Sequence, residues 1–400
     1  MDSERATESG DTGLAPALAG PPRSPLGKST KSVVLRYRTR DWKWEAQEHL
    51  RILRPDTRQA RCMRFRPYGS EAGIEVVQGA QRAFYKNVTA CGSTWACPVC
   101  SERISHQRAD ELRALRDAHL GNQGKEFFVS ITIPHVASAR LHMTLNQLTI
   151  LDKKVKQDTA YKKLMKDIGY IGAVTELETT YGRLNGWHPH KHQVLFCAES
   201  CPLSAEDIQA RLAAIYARKL IGMGYPEQTV AHALAHQIKV TDAGEHITEY
   251  VTKFGRMPRW DEMDELTMGQ YKRGRGDHFT PWELLHLSME GDVNAGDLFI
   301  EYAVNFEGKR RLTLTPGLRK KLGLPEDEHT DEEVAQTDQE PGRVICTIPY
   351  ELWDDVCWAG LRGDVLRAAE QDGEAGVWRE VDRARQVRRE AIFAPPSVSP

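Results

Sequence analysis

The stretch W-H-P-H-K-H-Q-V-L-F, Trp187 to Phe196, places three histidines within five residues at the head of an apolar run. On an extended strand, residues i and i+2 share a face. His190 and His192 therefore present their imidazoles side by side, and Lys191 points away. Two neutral imidazoles one pleat apart can seat a divalent ion. His188 has the same parity, but Pro189 limits the strand there, so a loop or supporting role is expected of it. A second strand signal, I-G-A-V-T-E-L-E-T from Ile171 to Thr179, precedes this stretch, and Y-G-R-L-N-G joins the two. A hairpin is the simplest reading. Glu176 and Glu178 share a parity, so the hairpin can set a carboxylate opposite the histidines. Two imidazoles and one carboxylate with open positions suit Mg²⁺ or Mn²⁺ acting on a phosphate oxygen. Either glutamate could equally lie on a solvated strand face.

A nucleophile would have to come from elsewhere. In E-H-I-T-E-Y-V-T-K-F-G, Glu245 to Gly255, Tyr250 and Lys253 stand i and i+3 on an expected helix and are neighbours. A phenol close to a bound cation and an ammonium group can be activated for attack. Four cysteines, Cys62, Cys91, Cys97 and Cys100, follow the pattern C-x28-C-x5-C-x2-C, the last three within C-G-S-T-W-A-C-P-V-C. Such spacing argues for thiolate ligands of Zn²⁺, with Pro98 helping to form the C-x2-C turn. Cys197, Cys201, Cys346 and Cys357 lack comparable spacing and are expected in the core.

The elements that must position these groups follow from pattern. The 400 residues, 40 % apolar and 28 % charged, suit two or three globular domains. No apolar run approaches the roughly 18 residues of a membrane span, and the N-terminus lacks signal-peptide order. A cytoplasmic location is expected. Net charge is only −2, yet Lys28 to Arg66 holds 12 Lys/Arg against 4 Asp/Glu, mixed with Tyr37, Trp42, Trp44 and Phe65. Glu326 to Glu340 holds 8 acidic residues and no Lys or Arg. The first run fits a phosphate-contacting surface better than a plain solvated one. F-F-V-S-I-T-I-P, Phe127 to Pro134, is a further strand, and helices are expected over 103–120, 204–222 with Ser204 and Asp207 as a capping box, and 245–254. Strands paired in hairpins and flanked by long helices make an α+β fold with a central antiparallel sheet. The expected organisation is a disordered tail at 1–27, a basic region with the cysteine zinc module at 28–120, an α+β core bearing the histidine pair at 121–260, a helical extension at 261–325, an acidic linker at 326–345 and a helical C-terminal segment at 346–400.

Taken in order, the apolar strand ending in T-I-P-H at His135, the H-x-H pair and Y-x-x-K resemble the plasmid rolling-circle replication initiators (Rep) of the HUH endonuclease superfamily, the type found on plasmids of Gram-positive bacteria including actinobacteria. C-G-S-T-W-A-C-P-V-C, G-W-H-P-H-K-H, E-Y-V-T-K-F and T-P-W-E-L-L carry the similarity, between residues 60 and 325. The resemblance implies an HUH palm, with Mg²⁺ or Mn²⁺ held by His190, His192 and Glu178, Tyr250 as nucleophile and Lys253 as its helper. It implies nicking of single-stranded or hairpin plasmid origin DNA, a 5′-phosphotyrosyl link, and a free 3′-OH handed to host helicase and polymerase. Origin binding would draw on the basic region and the zinc module, with bases resting on Trp42, Trp44 or Trp187. Two departures stand out. Lys191 replaces the usual apolar residue between the histidines. Position 246 is His, where the family often has the glutamate that activates water at termination; only Glu245 and Glu249 are near. A related HUH transposase or relaxase, or a non-catalytic zinc-dependent DNA-binding protein, would share parts of this pattern.

Overall fold

The computed structural model describes residues 42–80, 82–231, 238–242, 278–326, 329–336 and 341–393. The fold is mixed α/β, with antiparallel sheets, flanking helices and a helical C-terminus. The Phe127 strand is part of β3 (Lys125–Thr132), and the hairpin is made by β4 (Tyr170–Gly182) and β5 (Gly186–Cys197). Its turn depends on Gly186, at φ 71°, where an added Cβ would lie 2.2 Å from the carbonyl oxygen of Ala137. Only glycine tolerates that approach. β3 pairs with β5 on its other edge, and β6 (Ile238–Asp242) extends the sheet beyond β3. β7 (His278–Phe279) and β8 (Leu312–Leu314) both pair with β4, and the short helix α8 (Leu318–Lys321) follows β8. β5 therefore lies inside a six-stranded sheet, with β3 and β4 as its neighbours.

Strand alternation sends the two faces into different cores. Phe127, Val129, Ile131, Leu195 and Cys197 face α3 (Leu141–Gln157), α4 (Thr159–Asp167) and α5 (Ala205–Ile221). α5 begins with the expected reciprocal Ser204–Asp207 cap and buries Ile208, Leu212, Ile215 and Leu220 at helical spacing. The opposite face offers Val174, Val194 and Phe196 to Leu112 and Leu115 of α2 (Pro98–Gly121), while α6 (Pro281–Met289) and α7 (Val293–Phe306) close a third core around Trp42 and Trp187. Each fully buried aliphatic or aromatic side chain contributes roughly 1.5–3 kcal/mol.

A second, three-stranded sheet runs in the order β2 (Ala83–Lys86), β1 (Ile74–Gln78), β9 (Arg343–Ile348). It packs with α1 (Trp42–Leu53), α10 (Tyr350–Trp358) and α11 (Arg362–Phe393, broken at Gly373) around Trp44, Tyr85 and Trp353. Here the structure departs from the expected organisation. The acidic stretch is not a bare linker: Asp331–Gln336 forms α9, which buries Val334 and Ala335, and Arg343–Ile348 is a strand on β1. The two apolar residues inside the charge run supply a face that can pack. The C-terminal segment also shares one core with the cysteine region instead of standing apart. Trp42, Trp44 and Trp187 are 2 %, 6 % and 0 % exposed, so none is available to stack on a base. They are core residues. No helix among the described residues is long and apolar enough to cross a membrane.

Candidate metal centres

The antiparallel register sets Glu178 opposite His190 and Glu176 opposite His192. Glu178 and the two histidines converge, with ligand atoms all within 4.8 Å of one another. Glu178 Oε2 stands 2.9 Å from His190 Nε2 and 3.3 Å from His192 Nε2. On the far side of its ring, His190 Nδ1 donates to the carbonyl of His188 at 3.0 Å. A neutral His190 thus carries its proton on Nδ1 and turns the Nε2 lone pair toward a carboxylate oxygen. Two acceptors at 2.9 Å repel unless the ring is protonated or a cation lies between them. His192 Nδ1 meets the Ser130 hydroxyl at 2.9 Å, and the Phe128 ring stacks on the imidazole at 5.2 Å. Both imidazoles are held from behind, as metal-ligating histidines require.

Glu178 is buried, which opposes its charge, but His192 and His190 outweigh burial and hold its pKa below the usual carboxylate range. Glu176 is spent differently. It is fully buried, and Arg311 Nε donates to its Oε1 at 2.9 Å while Arg311 Nη1 donates to Ser105 Oγ at 2.8 Å. Burial, then the neighbouring Glu178 charge, push its pKa well up against the pull of Arg311. The alternative between the two glutamates thus has a geometric answer. Among these residues only Glu178 reaches both imidazoles.

β5 continues through Pro189, contrary to the expected interruption. β3 ends at Thr132, opposite His190, so the missing N–H of Pro189 costs no ladder bond on that side. His188 is consequently on the strand, its ring 5.4 Å from that of His190 and 5.1 Å from that of His135. Burial, then its histidine neighbours, press its pKa down to about 3, leaving it neutral. Lys191 faces the other side of the sheet, where its Nζ lies 2.9 Å from Asp152 Oδ2 on α3. An ion pair accommodates the unusual residue. Tyr250, Lys253, Glu245 and Glu249 lie outside the described residues.

Cys62, Cys91, Cys97 and Cys100 form the other group, all buried, with sulfurs within 4.8 Å of one another. Cys62 Sγ and Cys91 Sγ are 3.4 Å and 3.7 Å from Cys100 Sγ. A disulfide needs about 2.05 Å, whereas thiolates on a tetrahedral Zn²⁺ at about 2.3 Å stand about 3.8 Å apart. Cys97 caps α2 and Pro98 opens it, so Cys100 arrives within the first turn. Gly92, at φ 67°, lets the chain turn after Cys91 beneath α9, where an added Cβ would lie 2.8 Å from Glu332. The N–H groups of Cys91 and Ser93 donate to Cys62 Sγ and Cys91 Sγ, both at 3.4 Å. Hydrogen bonds from the other three thiols draw the Cys100 pKa well down, while burial pushes that of Cys97 well up. Four buried thiols cannot all ionise together without a cation among them. The other four cysteines are buried and free.

With both centres in view, one comparison decides the relationship. A Streptomyces lividans protein named "Protein rep" is 25 % identical over 385 residues, covering 79 % of this chain and 81 % of that one. The chain resembles a Rep protein. This relationship supports the reading of a plasmid Rep protein without reaching the HUH superfamily. A "Neomycin resistance protein" from Streptomyces cyanogenus is 29 % identical over 129 residues, 26 % of this chain and 30 % of its own length. No protein-family model matches, and no solved structure does. In this Rep-like chain, sequence reasoning passed over Ser130 and Arg311. Ser130 was accessible through strand parity, since it shares a face with Thr132. Arg311 carried no local signal, because its partner Glu176 is 135 residues away.

Proposed function

We propose that the chain is a plasmid rolling-circle replication initiator of the HUH type. It nicks single-stranded or hairpin origin DNA at a metal centre made by Glu178, His190 and His192. The observation carrying this reading is the convergence of Glu178, His190 and His192, whose ligand atoms all lie within 4.8 Å of one another. A central strand bearing both histidines, within an antiparallel sheet, is also what an HUH palm demands. When bound there, Mg²⁺ or Mn²⁺ would withdraw charge from the non-bridging oxygens of the scissile phosphate.

The chain's own groups do the rest. The His188 carbonyl and the Ser130 hydroxyl fix the two imidazoles, and the Lys191–Asp152 pair ties β5 to α3. Tyr250 supplies the nucleophile, with Lys253 lowering its phenol pKa. Its Oη–P bond forms as the P–O3′ bond breaks, and the phenolic proton passes to the departing 3′ oxygen. The 5′-phosphotyrosyl bond conserves the phosphodiester energy, so religation requires no nucleotide cofactor. The 3′-OH primes synthesis by host polymerase behind a host helicase. Glu249 or Glu245 would activate water at termination. The four cysteines would hold Zn²⁺ in a closed tetrahedron, a structural role.

Incubation with single-stranded origin DNA and Mn²⁺ tests the reading. A covalent protein–DNA adduct should form with the parent chain, and be absent with Tyr250→Phe and with His190→Ala. An adduct undiminished in the phenylalanine variant would remove Tyr250 from its role. No adduct from the parent would leave a non-catalytic zinc-dependent DNA-binding protein as the better account.

A further inference from the structure

A groove of about 840 Å³ opens on the cysteine unit, with Cys62 and Cys91 in its wall. Its cationic residues are Arg58, Arg61 and Arg66, and its aromatic ones Phe65, Tyr68 and Tyr350. Tyr68 is fully exposed and Phe65 41 % exposed. Neither ring has a place in the core, although the backbone beneath them is fixed. The Phe65 carbonyl accepts from Thr89 N at 2.7 Å and from Thr89 Oγ1 at 2.9 Å, and Ser70 N closes a turn onto Pro67 O at 3.1 Å. The guanidinium of Arg61 lies 5.1 Å from the Phe65 ring centre, and that of Arg66 lies 4.5 Å from that of Tyr350. The exposed Phe65 and Tyr68 rings, with guanidinium groups beside Phe65 and the half-buried Tyr350, offer bases a stacking surface and phosphates a counter-charge.

We infer that this groove is a binding site for single-stranded DNA, separate from the site of cleavage. The inference rests on the reading of the chain as a DNA-nicking protein, since that chemistry requires an unpaired strand to be held. Single-stranded DNA is favoured over duplex because paired bases hide the faces that Phe65 and Tyr68 would contact. The groove also contains its own competitor. Arg58 donates through Nη1 and Nη2 to Glu332 Oε1 at 3.1 and 3.0 Å, so this α9 carboxylate occupies a guanidinium that phosphate could take. Glu71 is the other acid in the lining. Phosphate binding at Arg58 would displace Glu332, and the acidic helix thereby sets the affinity of the groove.

Fluorescence anisotropy with labelled oligo(dT) and the full zinc-loaded chain, without added Mg²⁺ or Mn²⁺, reads binding apart from cleavage. Tyr68→Ala should weaken binding roughly five-fold or more, the loss of one stacked base. The Arg61→Ala/Arg66→Ala double variant should flatten the dependence of log affinity on log salt by about 1.4, about 0.7 for each phosphate contact. Glu332→Gln should act in the opposite direction and tighten binding. Retained zinc and thermal midpoint certify the fold of each variant, and the exposure of Tyr68 makes it tolerant of truncation. Unchanged affinity in Tyr68→Ala, an unchanged salt slope, no tightening in Glu332→Gln, or equal competition by duplex DNA would each overturn the inference. These outcomes are independent of nicking: a chain that binds through the groove but yields no phosphotyrosyl adduct sinks the nuclease reading and leaves the groove standing.

Discussion

Replacing Arg311 by methionine tests whether the buried carboxylate pair is held apart as described. The guanidinium and the Glu176 carboxylate are 7 % and 0 % exposed and 2.9 Å apart. Methionine keeps much of the volume but leaves Glu176 buried beside Glu178 with its counter-charge removed. Breaking one partner of such a pair costs about 3–5 kcal/mol, because the remaining charge is uncompensated. The hydrogen bond from Arg311 to Ser105 is lost as well. Glu176 can escape by taking a proton, and burial and Glu178 already push its pKa well above 4.5. A raised folded-state pKa gives stability that is present below the unfolded value and lost as pH rises. The variant's deficit should therefore be small near pH 4.5 and larger at neutral pH. Denaturant unfolding, followed by tryptophan fluorescence at both pH values, measures it. The double variant Glu176→Gln/Arg311→Met, with no charge left to bury, should recover most of the loss. A single-variant cost below about 1 kcal/mol, which is the range of an exposed pair, would refute this reasoning. A double variant no better than the single would do the same.

Two further outcomes concern the cysteine unit. Cys97→Ser should abolish one bound metal ion per chain and lower the thermal midpoint, because it removes one of the four buried sulfurs that would hold the ion; metal analysis showing unchanged content would exclude the cluster as a site. Glu102 is buried, which opposes its charge, yet Lys43 and Arg82 prevail and hold its pKa at about 2. A depressed carboxyl pKa gives stability that is present above 4.5 and lost as pH falls toward 2. Glu102→Gln should flatten unfolding free energy against pH across that interval, and an unaltered acid limb would show that the two cations do not prefer the ionised form.

Much of the Glu178–His190–His192 grouping was legible because period-2 alternation is local. Side chains at 190 and 192 must share a face, and a hairpin with a Gly-Asn-containing turn can bring only a few residues of the preceding strand opposite them. Parity left Glu176 and Glu178 equivalent, however, since both point to the same face. The choice between them depends on Arg311, which reaches Glu176 from the residue just before β8 and on which no strand rule bears. Lys191 is a similar case. Its outward direction followed from alternation, but what it meets there is Asp152, supplied by a helix nearly forty residues earlier. The cysteine spacing likewise named its four sulfurs, whereas part of the core enclosing them, from Val334 to Ala384, comes from residues beyond 330.

Charge runs were the least legible feature, and the reason is physical. A run of acids reads as solvated because isolated carboxylates avoid burial, and that reasoning weighs each residue against water alone. In α9 the relevant alternative is arginine. Asp331 accepts from Arg108 at 2.8 Å, Glu332 pairs with Arg58, and the Ala335 carbonyl accepts from Arg103. Val334 and Ala335 then bury the helix's apolar edge. One of these arginines, Arg58, belongs to the basic run, so the two charge runs meet at the Arg58–Glu332 pair. On the proposed reading of the groove, a phosphate reaching Arg58 would have to displace Glu332, so binding there is an exchange of anions and not a simple attraction. On that same reading, selectivity would come from bases stacking on Phe65 and Tyr68, a contact that no carboxylate supplies.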